Sequence, residues 1–397
     1  MPTAVPTISA EELRRRTIAR TDWVPCKAAF IDCRTPGSDL KDNYSFIGVG
    51  VSQSSEQFIN LSEPHGFQTG AAGMPHGTTN SLHLHFTAEV FLNFGGTYRV
   101  RWGADGNEGE YLSTDGDIIS VPPWIFRGFT NEGEDSGVLL TVLGHDDTGG
   151  IIWGPSVLRQ AENHGLYLSA DNMLIDTVNG QPKPDDAELI TPMEQRSIDQ
   201  LTHYTPTEMR TRVSQVGDRV FDPDALLCTR AAGGAAGLDL VIGYGISENR
   251  RQAPRLTEPH SFNLAVLRAE AGQGILRHRH DQPSVLIGRT GVWEVTVNEA
   301  EQARTVRVGP ADQISVPPGA WRSARLVEPA AGEDVGELVI VCGGDGRVLL
   351  DWAPEVVEQA AANDWVLDPN GYLAPRSVLP RTALAASRAR QEWLAAR

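Results

Sequence analysis

The chain has 397 residues, of which 40% are hydrophobic and 21% are charged, an ordinary composition for a globular protein with room for two cores. Its formal net charge of −17 argues against a nucleic-acid partner and against binding to an anionic membrane surface, because both would repel the average field. The sequence has no apolar run close to the roughly 20 residues that span a bilayer. We therefore expect a soluble protein of two domains.

The N-terminal segment, 1–21, lacks the apolar core of an export signal and is predicted to form a helical arm. Ser9 is the expected N-cap of its helix, with Glu12 three residues further on. The four cysteines of the chain form no CxxC pair. Both observations favour reduced thiols in a cytoplasmic protein.

Two histidines one residue apart, His83 and His85, lie in a segment, 77–96, that is predicted to form two successive strands. Side chains two apart on a strand leave the same face, and Glu89 follows on the next strand. Two imidazoles and a carboxylate form the facial triad typical of mononuclear non-haem iron. We predict a divalent metal site, with iron(II) favoured and manganese, nickel, copper or zinc also compatible.

The chain contains an internal repeat, because the pair of histidines recurs 195 residues later as His278 and His280. Other segments share this offset, namely 47–52 with 242–247, 63–65 with 258–260, Gly77 with Gly272, 119–123 with 314–318, and Arg127 with Arg322. After an insertion near 329–334 the offset becomes 199, so that Trp153 corresponds to Trp352. The chain is therefore a duplicated module.

Within each copy, short runs of Val, Ile, Phe and Leu alternate with Gly, Pro, Asn and Asp, which predicts antiparallel strands joined by tight turns. Helical patterns are sparse and lie at the N-terminus, at 157–162, at 356–362 and after Pro380. We predict an all-β protein of two tandem jelly-roll barrels with a few peripheral helices. The predicted domains are the arm 1–21, a first module 22–177, a connector 178–216, a second module 217–377 and a C-terminal helix 378–397.

The first copy resembles the cupins. Its first motif matches G-x5-H-x-H-x3-E-x6-G at Gly77, His83, His85, Glu89 and Gly96, and its second motif matches the family at Gly116, Pro122 and Asn131. Two positions depart from the second motif, since Trp124 replaces a usual glycine and Arg127 replaces a metal-binding histidine. The resemblance covers nearly the whole chain and implies a bicupin.

Arg127 cannot be a metal ligand, because a guanidinium has no available lone pair. It could form an ion pair with Glu89, lie exposed at the rim, or point into the cavity and bind a substrate carboxylate. Trp124 and Phe126 flank it and could bracket a planar ligand. We take all three residues as candidates for substrate binding.

Other histidines are candidates for further metal ligands. His76 adjoins the first motif and is a weaker metal candidate, whereas His65 has a twin in the second copy and His145 lies near a turn. His278 and His280 are also weaker candidates, because Ser284 replaces the glutamate in the second copy. That copy is expected to have a structural or substrate-shaping role.

The segment RHRHDQPS, 277–284, is similar to the gentisate 1,2-dioxygenase group, which also cleaves the rings of salicylate and hydroxynaphthoate. This resemblance implies an iron(II) dioxygenase that acts with O₂ on a small hydroxylated aromatic or related carboxylic acid in the first barrel. It also allows a homo-oligomer, in which the terminal helix could pack on a neighbour. Two alternatives remain open, namely a metal-dependent lyase, decarboxylase or isomerase, and a noncatalytic bicupin that binds small molecules.

Overall fold

The computed structural model describes residues 5–183 and 185–396. Two compact units follow from the contacts within the chain, one formed by Trp23–Asp218 and the other by residues 5–22 together with 219–396. We call them the first module and the second module. In the described part of the chain, none of the helices combines the length and the apolar character that a membrane span requires.

The N-terminal arm packs within the second module. Helix α1 (Ala10–Arg16) begins after Ser9, whose hydroxyl accepts a hydrogen bond from the backbone N–H of Glu12 at 3.1 Å, as the sequence predicts. Strand β1 (Thr17–Ile18) follows directly and pairs antiparallel with residues Gln313 and Ile314. The arm therefore adds a strand to the sheet of the second copy.

The first module is built from two facing sheets and short helices. Its strands are β2 (Asp42–Ile47), β3 (Ile59–Leu61), β4 (Phe67–Met74), β5 (Thr79–His85), β6 (Glu89–Asn93), β7 (Tyr98–Trp102), β8 (Gly109–Ser113), β9 (Ile118–Val121), β10 (Arg127–Asn131), β11 (Gly137–Gly144), β12 (Ile151–Trp153), β13 (Leu166–Leu168), β14 (Leu174–Asp176) and β15 (Val213–Ser214). Its helices are α2 (Pro155–Glu162), α3 (Gln195–Ile198) and α4 (Pro206–Thr211). The sheets have the strand orders β15-β9-β6-β11-β4-β2-β3 and β12-β5-β10-β7-β8, beside the hairpin β13-β14.

The second module repeats this plan. Its strands are β16 (Ala236–Ile242), β17 (Phe262–Glu270), β18 (Gly274–Arg279), β19 (Ser284–Thr290), β20 (Val292–Val297), β21 (Arg304–Val308), β22 (Gln313–Val316), β23 (Arg322–Glu328), β24 (Val335–Gly343), β25 (Asp351–Trp352), β26 (Trp365–Leu367) and β27 (Leu373–Pro375). Its helices, besides α1, are α5 (Pro354–Ala362) and α6 (Arg381–Ala395). The sheet orders are β1-β22-β19-β24-β17-β16 and β21-β20-β23-β18-β25, beside the hairpin β26-β27.

The prediction of an all-β chain with two jelly-roll modules and few helices is confirmed. In each module the larger sheet ends on a two-residue strand, β1 or β15, that follows a short capped helix. Thr205 caps the helix before β15 through a complete capping box with Glu208. The internal repeat thus extends into segments that the sequence analysis assigned to an arm and a connector.

A β-bulge in strand β5 decides which side chains share the inner face of the first module. Arg127 pairs with His83 and Phe129 pairs with Asn80, so that two steps along β10 match three steps along β5. A regular strand would place residues three apart on opposite faces, but the extra residue brings Asn80 onto the face of His83. The second module has the same irregularity between Ile275 and His278.

Candidate metal centre

Three predicted ligands meet inside the first module. His83 and His85 leave the same face at the end of β5, and Glu89 opens β6 in the facing sheet. All three side chains are buried, and one ligand atom from each lies within 4.8 Å of the others. This is the one group of three such residues found among residues 5–183 and 185–396.

The protonation states of these residues suit a metal. His83 Nδ1 lies 2.7 Å from the Ser81 carbonyl, which can only accept, so Nδ1 carries the proton and Nε2 carries the lone pair. Burial, with the nearby His85 and Arg127, lowers the pKa of His83 well below its usual value. Burial also lowers the pKa of His85, with Arg127 acting in the same direction. Both imidazoles are therefore neutral.

Glu89 is ionised, although it is buried. Burial raises the pKa of its carboxyl, but the contact with His85 and the charge and hydrogen bond of Arg127 outweigh burial and hold the pKa below the ordinary value. Its Oε2 lies 3.4 Å from His85 Nε2 and 3.2 Å from Arg127 Nε. Two neutral imidazoles and a carboxylate are donors that Fe(II), Mn(II) and Zn(II) accept, so the residues present fit a divalent metal.

Arg127 is buried beside this cluster and is not a rim residue. Its Nε donates to Glu89, and its Nη1 donates to the Ile125 carbonyl at 3.0 Å. Its Nη2 is buried without a hydrogen-bond partner in the described part of the chain. The ion pair with Glu89 is present, and the NH₂ group at Nη2 of the guanidinium has no acceptor in the described part of the chain.

A cavity of about 70 Å³ opens beside the ligands. His83, His85 and Glu89 line one side of it, together with Trp153, whose ring lies 5.3 Å from that of His83. Asn80 and a set of other polar residues also line it, namely Asn43, Gln57, Gln68, Thr69 and Thr141. The cavity can therefore hold a small polar molecule in contact with a metal at the cluster.

The equivalent position in the second module is organised differently. Arg322 Nη1 lies 3.0 Å from His280 Nε2 and 2.5 Å from the Ser284 hydroxyl. Its Nη2 donates to the Pro317 and Ala320 carbonyls, each at 3.0 Å. The guanidinium of Arg322 therefore lies against His280 Nε2, and a metal would have to displace it to reach that nitrogen.

The cavity of the second module is smaller and more apolar. It has a volume of about 10 Å³, and its aliphatic lining consists of Ile246, Ile275, Leu286 and Ile340. Among the described residues, the polar groups that line this cavity belong to His278, His280, Ser284, Arg322 and Ser323. The two copies thus share a fold and an HxH pair but differ in the environment of that pair.

The two aromatic residues predicted to wall the substrate lie elsewhere. The Trp124 ring is 45% exposed and contacts Phe86 edge-on, with ring centroids 5.0 Å apart. Phe126 is buried against Leu84 and Ile198. Neither side chain is among the described residues that line the cavity, and Arg127 does not line it either.

The remaining histidine candidates lie apart from the cluster. His76 is exposed, and its Nδ1 lies 2.7 Å from the Gly133 carbonyl. His65 and His260 both place Nδ1 2.7 Å from a carbonyl two residues earlier, which is the same contact in each copy. His145 is exposed in a turn.

Sequence reasoning missed a buried polar network next to His83. Lys41 Nζ lies 3.0 and 2.9 Å from the two carboxylate oxygens of Asp32, and it also donates to Asn80 Oδ1. Asp32 accepts from the Ser81 backbone N–H at 3.1 Å. The repeat contained a signal for these residues, because Asp32, Lys41 and Asn80 correspond to Leu227, Ala236 and Ile275 in the second copy.

Comparison with known proteins supports the fold. No family model and no curated protein sequence matches the chain. A Trp-to-Phe variant of oxalate decarboxylase from Bacillus subtilis aligns with a TM-score of 0.50 and 12% identity, covering 96% of this chain and 87% of that one. A Glu-to-Ala variant of the same protein has a TM-score of 0.48 and 13% identity over 83% of this chain and 77% of that one.

Vicilin from hazelnut, Corylus avellana, has a TM-score of 0.48 and 9% identity, covering 83% of this chain and 86% of that one. At these identities only the fold can be compared. The alignment with a TM-score of 0.50 extends over both modules, so this chain has the bicupin fold.

Proposed function

We propose that this protein is a metal-dependent lyase that acts on a small carboxylic acid in the first module, most simply as a decarboxylase. The observation that carries this proposal is the buried cluster of His83, His85 and Glu89, which lines a polar cavity. The named activity of the bicupin neighbours, oxalate decarboxylase, supports the same class of reaction.

His83, His85 and Glu89 would hold the metal. When bound there, a divalent metal would supply Lewis acidity at an oxygen of the substrate. The Ser81 carbonyl fixes the tautomer of His83, which keeps Nε2 available as a ligand atom. Burial of all three side chains keeps bulk water away from the reacting groups.

Arg127 would keep the Glu89 carboxylate ionised and oriented as a ligand, since its guanidinium donates to Glu89 and does not line the cavity. Its guanidinium stays protonated at any accessible pH, and its position is fixed by Glu89 and by the Ile125 carbonyl. In a decarboxylation the bond between the carboxylate and the neighbouring carbon breaks, CO₂ leaves, and the carbon keeps the electron pair and takes up a proton. This reaction consumes no oxidant overall.

The test compares CO₂ release with oxygen uptake. The purified protein, loaded with Mn(II) or Fe(II), is incubated with oxalate and with a panel of small 2-oxo and dicarboxylic acids. We expect CO₂ release without stoichiometric O₂ uptake, and loss of CO₂ release in Glu89→Ser. If the metal-loaded protein releases CO₂ from none of these acids, the proposed reaction is contradicted.

A second candidate is an iron(II) dioxygenase for hydroxylated aromatic acids. The donor set favours it, because two imidazoles and one carboxylate are the ligands of many non-haem iron oxygenases. The same experiment separates the two candidates when salicylate and gentisate are added to the panel. Uptake of one O₂ per substrate consumed would establish the oxygenase and exclude the lyase.

A further inference from the structure

We propose that the side-chain amide of Asn80 is a substrate-binding group of the first module, donating a hydrogen bond to a carboxylate of the ligand. This inference rests on the proposed function, since it assigns a further contact to the carboxylate substrate. No sequence motif marks Asn80, and it lies in none of the motif positions discussed above.

The bulge in β5 places Asn80 where such a contact can form. Because the bulge adds one residue between Asn80 and His83, both side chains face the cavity, and both line it. Asn80 is 6% exposed, so its amide is almost completely removed from bulk water. A ligand that reaches His83 or His85 would therefore also lie next to Asn80.

Lys41 fixes the direction of the amide. An ammonium group can only donate, so the Asn80 atom that faces Lys41 must be the carbonyl oxygen Oδ1. Lys41 is itself held by both carboxylate oxygens of Asp32, and its side chain is only 1% exposed. The amino group Nδ2 consequently points away from Lys41 and cannot exchange places with Oδ1.

The amino group of Asn80 has no acceptor in its neighbour His83. Asn80 Nδ2 lies 3.5 Å from His83 Nδ1, but that nitrogen carries a proton because it donates to the Ser81 carbonyl at 2.7 Å. Two donors cannot bond to each other. The N–H groups of Asn80 are therefore available to a ligand in the cavity, and a carboxylate is an acceptor that matches this donor.

The second module provides an internal comparison. Its counterpart of Asn80 is Ile275, which lines the small apolar cavity, and its counterparts of Asp32 and Lys41 are Leu227 and Ala236. The polar residues that orient the donor, Asp32, Lys41 and Asn80, thus occur in the copy with the metal cluster and are apolar in the other copy. A role only in folding would not require it, because the second copy forms the same bulge without it.

The experiment measures metal content and carboxylate affinity in the full-length protein. Metal per chain is determined by elemental mass spectrometry, and the binding of oxalate and benzoate is measured by calorimetry, with and without Mn(II). Two variants are used, Asn80→Leu, which removes the donor, and Asn80→Asp, which keeps an acceptor for Lys41 but replaces N–H by oxygen. Asn43→Asp is the matched control, because Asn43 lines the same cavity and donates to the Cys26 carbonyl.

We expect the metal content of both variants to equal that of the wild type. Carboxylate affinity should fall about tenfold or more in Asn80→Leu, the loss expected for a hydrogen bond to a charged group. It should fall further in Asn80→Asp than in Asn43→Asp, which introduces the same charge. Equal affinities in wild type and Asn80→Leu would overturn the proposal.

Two other results also decide the matter. Loss of metal in Asn80→Leu would make Asn80 a residue that positions His83 and would overturn its role as a donor. A wild type that binds no metal would contradict the proposed function separately. In that case the calorimetry without Mn(II) still decides on Asn80, and a wild type that binds neither carboxylate would overturn this inference as well.

Discussion

Arg322 Nη1 lies 3.0 Å from His280 Nε2 in the second module, whereas the equivalent Arg127 donates to Glu89. One substitution between the copies accounts for the difference, since Glu89 corresponds to Ser284. The Glu89 carboxylate holds the guanidinium of Arg127, but a serine hydroxyl accepts from the guanidinium without drawing it away from the histidine. The equivalent arginines therefore make different contacts. Arg322 lies against a histidine of the HxH pair, whereas Arg127 lies against Glu89.

Glu89→Ser should give the first site the arginine–serine arrangement of the second site. We expect metal binding to be lost while the fold is retained, because Ser284 and Arg322 already coexist in a folded module. Glu89→Leu is the control, since it leaves Arg127 without a side-chain acceptor and should cost about 3–5 kcal/mol as a broken buried ion pair. Thermal unfolding and metal analysis of both variants test this, and equal loss of stability in the two would contradict it.

Lys41→Met should destabilise the first module by about 3–5 kcal/mol, because it leaves the buried carboxylate of Asp32 without its partner. The double variant with Asp32→Leu should recover most of that loss, since Leu227 stands at the equivalent position of the second copy. A double-mutant cycle from chemical denaturation measures the coupling. Additive losses from the two substitutions would show that the pair contributes no coupling.

Glu248 should make stability depend on pH. It is buried, and its carboxylate oxygens accept from Trp352 Nε1 at 2.8 Å and from the Leu227 N–H at 2.7 Å. Burial raises its pKa from 4.5 to about 7. Between these values the folded protein keeps a proton that the unfolded chain has released, so stability falls as pH rises through this window, by roughly 3 kcal/mol in all.

Glu248→Gln should remove this contribution. Gln53, the equivalent residue of the first copy, accepts from Trp153 Nε1 at 3.0 Å and from the Ile31 N–H at 3.1 Å, so an amide can make these contacts. The measurement compares the unfolding free energies of wild type and variant at pH 5 and pH 7.5. If their difference is the same at both pH values, Glu248 does not titrate as described.

Trp124→Gly should leave carboxylate affinity unchanged to within about twofold, the range of surface substitutions. Trp124 has φ 61°, in the left-handed region, and the equivalent Gly319 has φ 75°. The ring contacts Phe86 outside the cavity lining, so its loss removes no ligand contact. Calorimetry with benzoate tests this, and a large loss of affinity would restore the sequence-based hypothesis that Trp124 walls the substrate.

Several features could be predicted from sequence because they depend on local patterns. The fold could be predicted from the period of the strands, the capped helix after Ser9 and the offset between the copies. The spacing of the metal motif predicted that His83, His85 and Glu89 lie together. Asn80 could not be predicted in this way, since residues three apart on a strand face opposite sides unless a bulge intervenes. Nothing in the local sequence near Asn80 and His83 marks that bulge.

The sequence also could not predict which residues the buried charged groups contact. Lys41 and Asp32 meet Asn80 through contacts between distant segments, and only the apolar counterparts in the second copy could have singled them out. The position of Phe126 depends on packing against Leu84 and Ile198, which motif spacing does not encode.

The most direct test of this account is the metal content of the protein purified without added metal, and after reconstitution, in the wild type and in His83→Ala and His278→Ala. We predict one divalent metal ion per chain in the wild type and in His278→Ala, and none in His83→Ala, because the first copy has a third ligand in Glu89 and the second copy has Arg322 against His280 Nε2. A wild type without metal after reconstitution, or a metal that is lost with His278→Ala and kept with His83→Ala, would contradict the account.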